Sequence, residues 1–214
     1  MERSLQMLLV VLTALAAGLI IQRLAKILIE RRTDPAPSLW PCQPDWRWSL
    51  ALGVINAAGS MGLYVVAQDV WTLAIWFLYV QIALNIAIVD YRIRKIPNEL
   101  LAALLMIRIA EWVIFKQPDL IIPSLVGLIL GYFVAVIPSQ FGKYIGKGDL
   151  KYMAVIGFCL TWRGLLQTIA ILGIIALLAV MLLFSSRRGN LKTKIAIGPI
   201  LSLGLYISLI YRII

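Results

Sequence analysis

Apolar runs of about twenty residues recur along the whole chain, separated by short polar loops. A hydrocarbon layer about 30 Å thick is crossed by a helix of about 20 such residues. The runs fall near residues 5–22, 48–67, 71–90, 98–115, 120–139, 149–163, 165–185 and 195–212. The expected fold is therefore all-α, a polytopic transmembrane helix bundle of about eight spans. Composition points the same way. Of the 214 residues, 62% are apolar and 14% charged, against about half and about a quarter in an ordinary soluble domain. Such a chain cannot cover a globular surface with polar groups. The sixth run is short and is expected to lie partly shielded inside the bundle. The longest polar stretch, residues 30–46, carries Pro35, Pro37, Pro41 and Pro44, which oppose helix and favour a turn-rich loop. Ala14-Leu15-Ala16 mimics a signal-peptide cleavage site. The basic residues mostly follow that first apolar run instead of preceding it, so the run reads as a retained span.

The formal net charge is +10, yet nucleic-acid binding is not expected, because the cations flank apolar runs. Fifteen of the twenty Lys and Arg residues lie in the first, third, fifth and seventh loops. Positive charge marks cytoplasmic loops, so these loops are expected inside and both termini outside. Membrane lipids are the expected contact for such residues. Histidine is absent, which excludes Ser-His-Asp and Cys-His catalysis and the HExxH zinc site. Cys42 and Cys159 stand far apart and suggest neither a four-ligand zinc site nor a disulfide framework. No metal site is expected. A Ser–Lys hydrolase needs no histidine, and Ser139 and Lys143 have a suitable spacing, but Pro138 and Gly142 oppose a continuous helix there.

Ten acidic residues remain to be placed. Glu2, Asp69, Glu111 and Asp119 lie in or beside outer segments, and Glu30, Asp34 and Asp45 belong to the first inner loop. Glu99 suits the first turn of its helix through the helix dipole. Two acids fit no such role as readily. Asp90 ends the third span, directly after the apolar stretch 86–89. Asp149 opens the sixth, directly after Gly146-Lys147-Gly148. Both fall at the cytoplasmic edge of the membrane, where ionisable groups are costly and mark function. Each has a plain alternative: Asp149 as a helix N-cap, and Asp90 as a partner of Arg92 or Arg94. Two glycines before an acid also let a partner helix or a substrate strand approach the backbone. Gln81 and Asn85 share one face of the third span above Asp90. They either bond neighbouring helices or line a path to the acids.

The pair of acids in these settings resembles the type IV prepilin peptidases and archaeal preflagellin peptidases, the GxGD membrane aspartic proteases. Their first motif, an Asp followed by a short loop and I-P-N, is matched by Asp90 through Asn98. Their second, G-x-G-D-x-K, is matched by Gly146 through Lys151. A late I-P-F-G-P-like segment is matched imperfectly by Ile195-Ala196-Ile197-Gly198-Pro199. The resemblance covers roughly residues 71–214, which are expected to form the protease core. Residues 1–70 are expected to form two N-terminal spans with a short cytoplasmic loop.

The resemblance implies an aspartic endopeptidase of the inner membrane, with Asp90 and Asp149 catalytic and facing the cytoplasm. Its substrate would be a prepilin or pseudopilin, cut at the leader junction. Gly146 and Gly148 would admit the substrate backbone, and Lys147 and Lys151 would attract an acidic residue near the start of the mature protein. No cofactor is needed for that step. Larger members also N-methylate the product with S-adenosylmethionine and carry two C-x-x-C pairs in a cytoplasmic insert. Here that loop holds only Cys42, and no site for the cofactor is recognisable. Judged by the dipoles of their own helices, Asp149 would be the resting carboxylate and Asp90 the acid. The reading from a different class is a small transporter or channel using Asp90 and Asp149 as ion or proton sites. Transporters more often place such acids near the bilayer midplane.

Overall fold

The computed structural model describes residues 2–32, 46–140, 146–185 and 197–211, and among these it contains helices and no strand. In chain order they are α1 (Glu2–Glu30), α2 (Trp46–Val66), α3 (Val70–Ile93), α4 (Asn98–Phe115), a 3-10 turn (Pro118–Leu120), α5 (Ile121–Gln140), α6 (Lys147–Ser185) and α7 (Gly198–Ile210). Four stretches are long and apolar enough to cross a membrane: Met7–Glu30, Val70–Ile93, Pro118–Ile137 and Lys147–Ile175. Ala51–Val66 and Gly198–Ile210 are shorter apolar helices. The all-helical fold agrees with the sequence expectation, whereas a count of eight spans does not follow from it. Two of the expected spans, 149–163 and 165–185, fall within α6, which is kinked near their join at Thr161 (φ 66°, ψ 177°). α1 also runs on past residue 22, so Arg23 and Lys26 lie on the helix and not in a loop.

Local chemistry explains where several helices start and stop. Asp69 caps α3 by accepting the Thr72 amide at 2.9 Å. α3 ends at Arg94, whose left-handed backbone returns its N–H to the Asp90 carbonyl at 2.8 Å. Pro97 then precedes α4, where its fixed φ suits a helix entry. α3 is the central element and touches α1, α2, α4 and α7. Tyr79, Ile86, Leu104, Tyr152, Ile156, Leu201 and Leu205 fill the core around it. Large apolar side chains such as Leu8, Ile20, Ile122, Phe133 and Leu177 point outward, as a surface facing lipid requires.

Lipid tails are as apolar as leucine, so helices in a membrane associate through close packing and interhelical polar contacts. Both devices occur here. α5 and α6 meet backbone to backbone: a Cβ on Gly127 would lie 2.1 Å from the Gly157 carbonyl oxygen, and one on Gly157 2.0 Å from that of Gly127. Asn56 and Gln81 exchange two amide hydrogen bonds, at 3.0 and 2.9 Å, and Asn56 also donates to the Ala14 carbonyl at 2.8 Å. Of the two roles expected for Gln81, the structure shows the interhelical bond, here joining α1, α2 and α3.

Candidate active site

Asp90 lies in the last turn of α3 and is 5% exposed. Asp149 lies in the first turn of α6 and is half-buried. The two are 59 positions apart in sequence, yet both line one cavity of about 290 Å³. They stand close enough for the charge of Asp90 to act on Asp149.

The wall of the cavity comes from four parts of the chain. The turn after α1 sends Arg32 and the end of α3 sends Arg94. The turn into α4 supplies Lys95, Ile96 and Asn98, and α6 supplies the stretch from Gly146 to Asp149 together with Lys151. All six residues singled out in the sequence, Asp90, Asp149, Gly146, Gly148, Lys147 and Lys151, therefore meet at this one place. Gly148 lies against the turn before α4, where a Cβ would sit 3.2 Å from Cβ of Ile96. Gly146 faces the Asp149 carboxylate, and a Cβ there would sit 2.9 Å from Oδ2. Lys151 donates to Oδ1 of Asn98 at 3.3 Å. Five cationic side chains and two carboxylates share the cavity, so its field favours anionic groups.

Two further features were not apparent from sequence pattern alone. The Gly198 N–H donates to Oδ2 of Asp90 at 2.9 Å, so the first residue of α7 touches the catalytic candidate directly. Arg32 pairs with Glu99, and Lys95 donates to the Arg32 carbonyl at 3.4 Å, which fastens the end of α1 to the cavity rim. Arg32 was masked by the other cations of its loop, all explained by topology. Gly198 carried a signal only through the family motif, because a backbone amide leaves no trace in a pattern of side chains.

Asn85 does not line the cavity; its Nδ2 donates to the Gln81 carbonyl at 3.1 Å. Cys42, Lys143, Ile195 and Ala196, the cations of the seventh loop and the side chain of Ser139 lie outside the described residues, as does most of the proline-rich loop. Among the described residues no group of three His, Cys, Asp or Glu is placed to hold a metal ion.

A model of the type IV leader peptidase family matches residues 72–185. The chain belongs to the type IV leader peptidase family. The matched segment, just over half the chain, contains both Asp90 and Asp149, and membership marks this leader peptidase as a hydrolase of the protease class. No curated protein matches the chain, and no solved structure does. Arg32 and Gly198 both lie outside the matched segment, so the cavity is completed by parts of the chain that the family model does not cover.

Proposed function

We propose that the chain is an aspartic endopeptidase that cuts the leader from prepilin or pseudopilin proteins at the cytoplasmic face of the cell membrane. The observation that carries this reading is the meeting of Asp90 and Asp149 in one cavity, each held at a helix end. Two carboxylates in such a site do not both ionise cheaply, so the pair shares one proton. The ionised member takes a proton from water, and the water oxygen attacks the scissile carbonyl carbon. The protonated member gives its proton to the developing oxyanion. Collapse of the tetrahedral intermediate breaks the C–N bond as the nitrogen takes the proton that the first carboxylate drew from water, and a hydroxyl of the intermediate returns a proton to the other carboxylate. The leader leaves with a new carboxyl group and the mature protein with a new amine.

The surroundings suit this substrate. A prepilin joins a cytoplasmic leader to an apolar helix, and a cavity at a membrane edge meets that junction. Gly146 and Gly148 leave room for a substrate strand, while Lys147 and Lys151 offer positive charge to an acidic side chain just beyond the cut. The remaining rim cations suit lipid phosphates. The excess of basic residues in alternate loops supports a cytoplasmic orientation. Hydrolysis by this route uses no cofactor.

The test is cleavage of a type IV prepilin by purified protein in detergent, with mass spectrometry of both products. We expect a cut directly after the leader glycine by wild type, and none by Asp90→Asn or Asp149→Asn with the fold retained. Near-normal cleavage by either variant would refute the dyad. Failure of well-folded wild type on every prepilin-like substrate would favour an ion or proton site instead. Addition of S-adenosylmethionine to the same reaction shows whether the new amine gains a methyl group.

A further inference from the structure

The N-terminus of α7 is built around Asp90. Ile197, at the N-cap position, offers no side-chain hydrogen bond to the helix, and Pro199 follows as a residue without an N–H. The Gly198 amide is directed across the bundle and donates to Oδ2 of Asp90 at 2.9 Å. Glycine is required for this approach. A Cβ at position 198 would lie 2.6 Å from Oδ2, 2.7 Å from Cβ and 2.8 Å from Cγ of Asp90. The carboxylate of one helix thus takes the capping place of another, and Asp90 itself is only 5% exposed.

We propose that Gly198 is a positioning residue whose amide fixes Oδ2 of Asp90 and holds the negative charge of the singly ionised pair on Asp90. Asp149 then carries the shared proton. The dipoles of α3 and α6 alone assign the roles the other way round; the amide end of α7 adds a donor that those two helices do not supply. The inference rests on the aspartic reading of the site.

Other charges act on the same carboxylate. Arg94 at the end of α3 lines the same cavity. From α6, Asp149 lines the cavity with it. Arg32 after α1, Lys95 of the turn and Lys147 and Lys151 of α6 stand around the cavity. The first two turns of α7 bring no titratable side chain, so its contribution is the backbone amide itself.

Two variants separate the amide from the space it occupies. Gly198→Ala keeps the N–H and adds the clashing Cβ. Replacing Gly198 by glycolic acid through nonsense suppression turns the amide into an ester, which removes the N–H and adds nothing. The expected results for the ester are a kcat lower by roughly tenfold or more, the worth of one hydrogen bond to a charged group, and an unchanged KM. The acidic limb of the kcat/KM profile should move up by about one pH unit, since a donor to the ionised form has gone. Gly198→Ala should lose at least as much activity by displacing Asp90.

Gly173→Ala, which meets nothing within 4 Å, serves as the unaffected control. The Asp90 carboxyl is also titrated directly by isotope-edited infrared spectroscopy in wild type and ester, with Asp90→Asn to assign the band. An ester variant with wild-type kcat, profile and Asp90 titration overturns the proposal, whatever Gly198→Ala does. If wild type cleaves no prepilin, the proposed function fails alone, and the infrared titration still decides the role of Gly198.

Discussion

Arg108 is 1% exposed within α4, and its Nη1 donates to Oε2 of Glu111 at 2.7 Å. Its other nitrogens reach the Ser124 hydroxyl on α5 at 3.3 and 3.1 Å, and the Tyr79 hydroxyl of α3 donates to the same glutamate oxygen at 3.0 Å. Three helices thus share one buried ion pair that lies outside the cavity of Asp90 and Asp149. Breaking a buried pair by removing one partner costs about 3–5 kcal/mol, because the other charge is left uncompensated. Glu111→Ala and Arg108→Ala should each lower the unfolding midpoint in detergent sharply. The double variant Arg108→Met/Glu111→Leu should recover most of the loss, and unequal recovery would show that one residue acts alone. Glu111 was expected only in or beside an outer segment, and nothing in the apolar run marked Arg108, Tyr79 or Ser124 as its partners. Asp90 and Asp149 could be read because charge at an apolar edge stands out. Arg32 and Gly198 could not, one being hidden among topogenic cations and the other acting through its backbone.

At the level of elements, helix positions were set by apolar run length, and their ends by turn chemistry that a run does not encode. α1 extends beyond the expected span because polar residues such as Arg23 and Lys26 do not by themselves stop a helix. In α6 a break near the join of the expected spans 149–163 and 165–185 falls at one residue, Thr161. It interrupts α6 at φ 66°, ψ 177°, a region that glycine occupies freely and a β-branched residue does not. The break lies where α5 presses on α6, since a Cβ at Gly127 would also come within 2.8 Å of the Thr161 carbonyl carbon. Thr161→Gly should therefore raise stability, by about 1–3 kcal/mol if the strain is fully relieved. Thermal unfolding of the variant beside wild type checks this, and a destabilised variant would show that the threonine side chain holds the break. The same interface makes the opposite prediction for its glycines. Gly127→Ala and Gly157→Ala each place a methyl group about 2 Å from a carbonyl oxygen. The helices must then part, at a cost at or above the ~1–3 kcal/mol of ordinary overpacking. Both variants should give low yields of folded protein, unlike Gly173→Ala on the open face.

Across the whole molecule, the described residues place the cavity and five cations at the same end. Arg32, Arg94, Lys95, Lys147 and Lys151 surround the two acids, and four of these five precede or follow long apolar helices at the end of α3 or the start of α6, with Arg32 just past α1. α4 then carries the chain away from this end. Its 18 residues would reach about 27 Å, close to the thickness of a hydrocarbon layer, so the expected topology puts Lys95 before it and Gln117 after it on opposite faces. The excess of basic residues in and beside alternate loops argues that the Lys95 face is cytoplasmic. Single cysteines decide the matter, because Lys95 and Gln117 are both exposed. With Cys42→Ser as background and Cys159 buried in the core, a membrane-impermeant maleimide on intact cells should label Gln117→Cys and spare Lys95→Cys. Permeabilised cells should show both labelled. The reverse pattern would put the carboxylate pair on the outer face, out of reach of a leader still in the cytoplasm, and the proposed substrate would have to be abandoned even if the two acids proved catalytic.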